Sequence, residues 1–385
     1  CQVFGIDNML RRELVAERGA QSVLPIGSMQ ERIESARELL GVEIDFRPID
    51  LCDREEFFAY VEEVKPEAFV QYAEIPSAPY SMASVETATK TIYNNNIGTL
   101  NLMFAMRDYA PEASMIKLGT MGEYGSPLTG RPLFEGLFPG DAVLQHGDDE
   151  WSLGGQWIIR DPVSFYHVSK VQGTFTMYES CKYWWLRGID VMQGVVYGLH
   201  TPELMTDPSL NTRFDIDEWW GTVINRFVAQ AVVGAPLTIF GSGNQIRGYI
   251  TVADAMQCMI RLLASPPEPG QYEVVNQVTD VLSVRELAQT VARIGRDEFD
   301  LTPTIQRIEN PRVEAEEHPY EVIHEKLEKD FGFSSQSNVE DEIRYMFKRL
   351  MEPSSRELIE ASRDTLFPKT LWSGGEKTLE VVEAD

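Results

Sequence analysis

The chain has 385 residues, 43% hydrophobic and 10% aromatic, enough to bury a large core as two domains or one enlarged α/β unit. Its formal net charge of −26 argues against a nucleic-acid partner, whose phosphates need a basic surface, so any anionic ligand must be met by locally placed arginines. Cys1, Cys52, Cys181 and Cys258 form no C-x-x-C pair and fit a reduced setting better than a disulfide framework or a metal site. No apolar run reaches the roughly 18 residues of a membrane span.

The opening "CQVFGIDNMLRR" reads as a strand ending at Asp7 and Asn8, then a loop with Arg11 and Arg12. In a dinucleotide-binding fold an acid at this place closes the second strand and takes the adenosine ribose, about 20 residues after a glycine-rich phosphate loop. No such loop precedes Asp7. The expectation is therefore that the central first strand and its loop, roughly 25 to 30 residues, are missing, with a gap in the sheet and weak NAD binding as the result. "VEIDFRPIDLCD" is a strand and turn carrying Asp50 and Leu51, "REEFFAYVEEVKP" a helix, "EAFVQYAE" a strand, and "VETATKTIYNNNIGTLNLMFAMRDYAP" a long helix bearing Asn95. Strand "ASMIKLGT", the helix containing "SFYHVSKVQGTFTMYESCKYWWLRG" and strand "IDVMQGVVYG" follow. Strands separated by such helices imply parallel crossovers and a Rossmann-type doubly wound sheet.

Between Gly125 and Ser164 no periodicity is visible, the mark of a functional or disordered loop. After Gly198 the pattern is mixed: helix "WWGTVINRFVAQAVVG", strand "PLTIFG", helix "VADAMQCMIRLLAS", strand "QYEVVNQ", helix "SVRELAQTVARIG", then an acidic helical end. Residues 1–198 are expected to bind the cofactor. Residues 199–385 are expected to form a smaller α/β substrate domain, some of whose elements return to the first sheet.

Tyr166 and Lys170, four apart on a helix, share a face, so the ammonium can lower the phenol's pKa and let it take a hydroxyl proton. Tyr178 and Lys182 repeat the spacing, but twelve residues on they point about 120° away and lie roughly 18 Å along the axis, where a solvated helix face is expected. Thr120 ends the strand before them, at the carboxyl edge where parallel sheets build their ligand crevice. A strand-end hydroxyl followed by Tyr-x-x-x-Lys is the constellation of short-chain dehydrogenases. Asp7 favours NAD over NADP, because a carboxylate that binds a ribose hydroxyl would repel a 2′-phosphate. Arg247 after a Gly-x-Gly turn, Arg312 in "ENPRVEAEEH" and Arg226 beside Asn225 are arginines that could converge on a diphosphate; surface ion pairs, for instance with Glu314, are the alternative.

The blocks "SAPYSM", "LGTMGEYG", "SFYHVSK", "QGVVYG", "RGYITVAD" and "NPRVEAEEH", in this order over about residues 1 to 375, closely resemble the UDP-sulfoquinovose synthases, extended short-chain dehydrogenases. The resemblance implies bound NAD, with UDP-glucose and sulfite as substrates and a homodimeric assembly. Tyr166, helped by Lys170 and Thr120, would deprotonate the C4 hydroxyl as hydride leaves C4; the 4-ketone acidifies C5, water leaves C6, and sulfite adds to the alkene before C4 is reduced again. Glu123 and His167 would serve the C5 and C6 proton transfers. Gln193 would join Asp7, Asn8, Arg11, Asp50, Leu51 and Asn95 at the cofactor. Ser77, Tyr80, Met121, Gly122, Thr238 and His318 would join Thr120, Asn225, Arg226, Arg247 and Arg312 at the nucleotide sugar. The family pattern carries a Gln-Arg pair just ahead of "SAPYSM", where this chain has Ile75 and Pro76. A UDP-sugar 4-epimerase or 4,6-dehydratase, which uses the same Thr, Tyr and Lys, is the alternative. A cytoplasmic location is expected, with a plastid stroma left open.

Overall fold

A computed structural model describes residues 2–125, 130–312, 320–367, 369 and 380–384. Strands β1 (Val3–Ile6) and β2 (Ile44–Arg47) pair in parallel, with α1 (Leu10–Glu17) and α2 (Met29–Leu40) between them. Helix α1 corrects the reading of a loop around Arg11 and Arg12: the Asn8 side chain accepts from the Leu10 amide, and Leu14 and Val15 bury against Ile75, Tyr80 and Trp220. Eight residues with a single buried pair leave little periodicity to read. Helix α2 opens on a Ser28–Glu31 capping box and closes at Gly41.

Helix α3 (Arg54–Val64), β3 (Ala68–Gln71), the short α4 (Ala78–Met82), α5 (Val85–Tyr109) and β4 (Ser114–Leu118) continue the alternation. The aperiodic stretch holds an antiparallel hairpin, β5 (Val143–His146) with β6 (Asp149–Ser152). All eight of its residues are exposed, so no burial imposed an alternating pattern on the sequence. Then come α6 (Phe165–Trp184), β7 (Arg187–Gln193) and β8 (Val195–Tyr197).

The second half supplies α7 (Val223–Val232), β9 (Leu237–Phe240), β10 (Ile246–Thr251), α8 (Val252–Ala264), β11 (Tyr272–Gln277), β12 (Asp280–Ser283), α9 (Val284–Phe299) and β13 (Ile305–Ile308). It ends with α10 (Glu325–Lys329), α11 (Val339–Leu350), α12 (Pro353–Ala361) and β14 (Val381–Ala384). The main parallel sheet runs β11-β7-β4-β3, so β11 returns from the second half to the first. Among the described residues β1 and β2 pair only with each other, while β12-β10-β8 and β14-β13-β9 form two further sheets. This is the doubly wound α/β class expected, with α3 and α5 packed on one side of the main sheet and α8 on the other.

The single strand expected in "IDVMQGVVYG" is cut at Gly194: β7 stays in the main sheet and β8 pairs with β10. A Cβ on Gly194 would stand 2.8 Å from the Gly248 carbonyl oxygen and 3.2 Å from that of Gln277. Both are backbone atoms of neighbouring strands and cannot swing aside. Gly194→Ala is therefore expected to destabilise the fold by about 1–3 kcal/mol, read as a lower urea midpoint at unchanged m-value.

Candidate active site

The carboxyl ends of β1, β2 and β3 enclose a cavity of about 240 Å³. Asp7, Asn8, Arg11, Asp50, Leu51, Glu74, Asn94 and Trp220 are among its walls. Asn8 Nδ2 donates to Asp50 Oδ2 at 3.0 Å, which ties the two strand ends together. Asp7 is exposed and accepts from the Met9 amide through Oδ1. Arg11 is held by Asp215 at 2.8 Å and lies 4.0 Å over the Trp220 ring. Asn95 is placed differently from expectation: it is buried, accepts from the Ile75 amide at 2.8 Å and donates to Ser169 Oγ at 2.9 Å, while its neighbour Asn94 faces the cavity.

Thr120 follows β4 and caps the short turn Met121–Glu123, accepting from the Gly122 amide. Facing it, Ser164 caps α6, which carries Tyr166, His167 and Lys170. The Tyr166 amide donates to Ser81 Oγ at 3.0 Å, docking the start of α6 on α4. Lys170 Nζ lies 5.7 Å from the Tyr166 ring centre, donates to the Leu118 carbonyl and pairs with the Glu74 carboxylate. Glu74 is a residue the sequence reading passed over. Burial, opposed by Asp190, draws the ammonium down to about 7, with the Glu74 carboxylate in contact. The Tyr166 phenol is pushed up, by burial first and then by Glu123, instead of down as the helical spacing suggested; the Lys170 ammonium is engaged by Glu74 and Leu118.

Glu123 is wholly buried beneath Thr120: Oε1 accepts from the Thr120 amide, and Oε2 lies 3.0 Å from Thr174 Oγ1 and 3.8 Å from Arg160. Desolvation raises its pKa. His167 packs on Gly122 so closely that a Cβ there would lie 2.2 Å from His167 Nε2. Its Nδ1 sits 2.8 Å from Ser164 Oγ. Burial, then Arg247 and Arg312, lower its pKa to about 3, so the imidazole is neutral.

The three arginines do come together. Arg226 and Arg312 lie 5.1 and 5.5 Å from the Phe240 ring, and Arg247 joins Arg312 in acting on His167. Arg226 is only 3% exposed, its Nε has no partner, and burial followed by Arg312 lowers it to about 10. Surface pairing is thereby ruled out for Arg226. Asn225 is buried beside it, and its Oδ1 has no partner.

Other candidates are engaged inside the protein. Ser77 donates to the Trp219 carbonyl, Tyr80 stacks on Trp220 in the core, Met121 is buried, Thr238 bonds Gln230, and Gln193 donates to Gln277. His318 and Glu314 lie outside the described residues. Tyr178 departs from the solvated face expected of it: its ring packs 5.0 Å from Trp157 and 5.5 Å from Tyr272, with Lys182 exposed beyond.

Residues 12–276 match the NAD dependent epimerase/dehydratase family. The chain is 37% identical over 371 residues to the UDP-sulfoquinovose synthase of Sulfolobus acidocaldarius, covering 96% of this chain and 91% of that one. It belongs to the UDP-sulfoquinovose synthases of that family. It is also 40% identical to the chloroplastic UDP-sulfoquinovose synthase of Spinacia oleracea, over 84% of this chain and 65% of that protein's length. Solved structures share the fold at low identity. A Bacillus cereus UDP-glucuronic acid 4-epimerase superposes with TM-score 0.61 at 14% identity over 94% and 99% of the two chains. A Bifidobacterium longum UDP-glucose 4-epimerase superposes with TM-score 0.63 at 15% over 92% and 100%.

Within this family, the fit between Gly122 and His167 is the local feature a single substitution can test. Gly122→Ala should displace the imidazole from Ser164 and cost about 1–3 kcal/mol, seen as changed ring-nitrogen shifts of His167 together with a lower denaturation midpoint.

Proposed function

We propose that the chain forms UDP-sulfoquinovose from UDP-glucose and sulfite, with NAD retained through each turnover. The reading is supported by one arrangement above all: Thr120, Tyr166 and Lys170 lie at the sheet's carboxyl edge beside a neutral His167 and a group of arginines of which Arg226 is buried. Residues 1–198 carry the cofactor side and residues 199–385 most of the nucleotide-sugar side.

The cavity at β1, β2 and β3 fits the adenosine end of NAD, because its rim offers the Asp7 carboxylate to ribose hydroxyls and Asn8, Asp50 and Leu51 to the base. When bound, NAD supplies reversible oxidation at C4 of the sugar. Lys170 holds the nicotinamide ribose and Tyr166 takes the C4 hydroxyl proton, with Thr120 donating to the same oxygen. His167, neutral and next to the Gly122 backbone, is placed to accept the C5 proton and return a proton as water leaves C6. Glu123 acts from beneath: both its oxygens are occupied, so it fixes Thr120 without touching the sugar. Arg226, Arg247 and Arg312, with Asn225, hold the diphosphate.

A homodimer is proposed on the outer faces of α5 and α6, where Val85, Tyr93, Leu100, Phe165 and Tyr183 are exposed. The free thiols of Cys52, Cys181 and Cys258 support a reducing compartment such as the cytoplasm. No helix among the described residues is long and apolar enough to cross a membrane.

Mass spectra of nucleotide sugars after incubation with UDP-glucose, with and without sulfite, test the reaction. A sulfonated product formed only with sulfite is expected. An epimer or a 4-keto sugar alone would establish the epimerase or dehydratase reading. Tyr166→Phe should abolish turnover under either outcome, whereas Tyr178→Phe, whose hydroxyl makes no catalytic contact, should keep activity within about twofold.

A further inference from the structure

Lys170 has three donors to place in a site that water hardly reaches, since its side chain is 4% exposed. One donor goes to the Leu118 carbonyl at the end of β4, and another to Glu74, whose side chain is also 4% exposed. Glu74 sits on the loop between β3 and α4, and Asn95 fixes that loop by bonding both the amide and the carbonyl of Ile75. Ser77 Oγ anchors the same loop to the Trp219 carbonyl across the molecule. Glu74 also forms part of the wall of the cavity lined by Asp7 and Asp50. One carboxylate thus joins the cofactor-side cavity to the lysine beside Tyr166.

The charged groups around Lys170 can be taken element by element. From β7 comes Asp190, whose carboxylate is already engaged by Lys117, Thr174 and Tyr272. From the turn after β4 comes Glu123, which acts on Tyr166. On α6 itself stands Tyr166. Among the described residues only Glu74 touches the ammonium as an acid.

We propose that Glu74 is a positioning residue for the reaction: its carboxylate keeps the buried Lys170 ammonium charged and fixed between Leu118 and Tyr166. The proposal rests on the role given above to Tyr166 and Lys170, and it adds a residue whose only path to the sugar is through the lysine. A buried ammonium that loses its one contacting carboxylate sheds its proton instead of bearing the desolvation cost. With Glu74 in place, burial already draws Lys170 down to about 7. The sign follows: Lys170 stays charged below its pKa, so removing Glu74 moves the upper limit of the active pH range downward.

Glu74→Gln keeps the shape and removes the charge. In full-length protein labelled with ε-13C lysine, with the Lys170 resonance assigned by its loss in Lys170→Arg, the Lys170 titration is expected to move from about 7 to lower pH in Glu74→Gln. The pH profile of turnover should follow, its upper limb moving to lower pH in Glu74→Gln, so that each pH unit by which the Lys170 midpoint falls costs about tenfold in activity at pH 8 and less at pH 6. Glu74→Asp, which keeps the charge, should restore much of the upper limb. Should Glu74→Gln not fold, the proposal is read from Glu74→Asp, whose shorter reach should lower the titration by a smaller amount. An unmoved Lys170 titration in whichever variant folds would overturn it. The titration is read without substrate, so its failure is separate from a failure of the sulfite reaction or of Tyr166→Phe.

Discussion

The centre of the molecule is organised by charges that have no access to water. Lys117 on β4 and Asp190 on β7 are both fully buried and stand 3.2 Å apart. Thr174 of α6 lies 2.5 Å from Asp190 and 3.0 Å from Glu123, and Tyr272 of β11 donates to Asp190 at 2.8 Å. Arg160 closes the group beside Glu123, and its guanidinium covers the Tyr124 ring at 4.4 Å. Removing such ions from water costs several kcal/mol each, recovered only when each partner is in place. The cluster therefore specifies the register of β4, β7 and β11 and the seating of α6 on them, more than it adds stability.

The chemistry inherits that specification. Thr174 stands between the two carboxyl groups, and burial raises the pKa of Glu123. Glu123 accepts from the Thr120 amide and so fixes the strand-end hydroxyl. On the other side of Thr120 the neutral His167 lies over a glycine that must lack a side chain for the ring to fit. Thr120 and the neutral His167 thus stand over the buried Glu123, while charge is held at the edges by the Glu74–Lys170 pair and by the arginines.

Much of this was legible in the sequence, because the signals were local. The Tyr166–Lys170 spacing, the strand-end Thr120 and the alternation of apolar strands with amphipathic helices follow from helix geometry and burial on one face. The hairpin at β5 and β6 was not legible, since strands exposed on both faces carry no periodicity. The split at Gly194 was hidden because the apolar run continues across it, and only the approach of two other strands reveals the break. Glu74 was hidden for a related reason. Nothing near it in the chain marks an acid that meets a lysine ninety-six residues away through the packing of α5 and α6. Tyr178 shows the converse, for a spacing identical to that of the catalytic pair became an aromatic contact with Trp157 and Tyr272 once α6 was seated.

The net charge of −26 sharpens the problem of admitting an anionic nucleotide sugar. Surface lysines could raise the potential broadly, but salt at physiological strength screens exposed charges beyond about 8 Å. Here the positive charge is concentrated and desolvated: Arg226 is almost fully buried and Arg312 shares the Phe240 ring with it. Stacking on an aromatic face lets guanidinium groups approach one another with less hydration loss than ammonium groups would incur. Burial first, and then the neighbouring Arg312, lower the pKa of Arg226, and an anion between the guanidinium groups would offset both. Burial and then the same arginines keep His167 neutral, so the residues proposed to hold the diphosphate also act on the imidazole proposed to take the C5 proton.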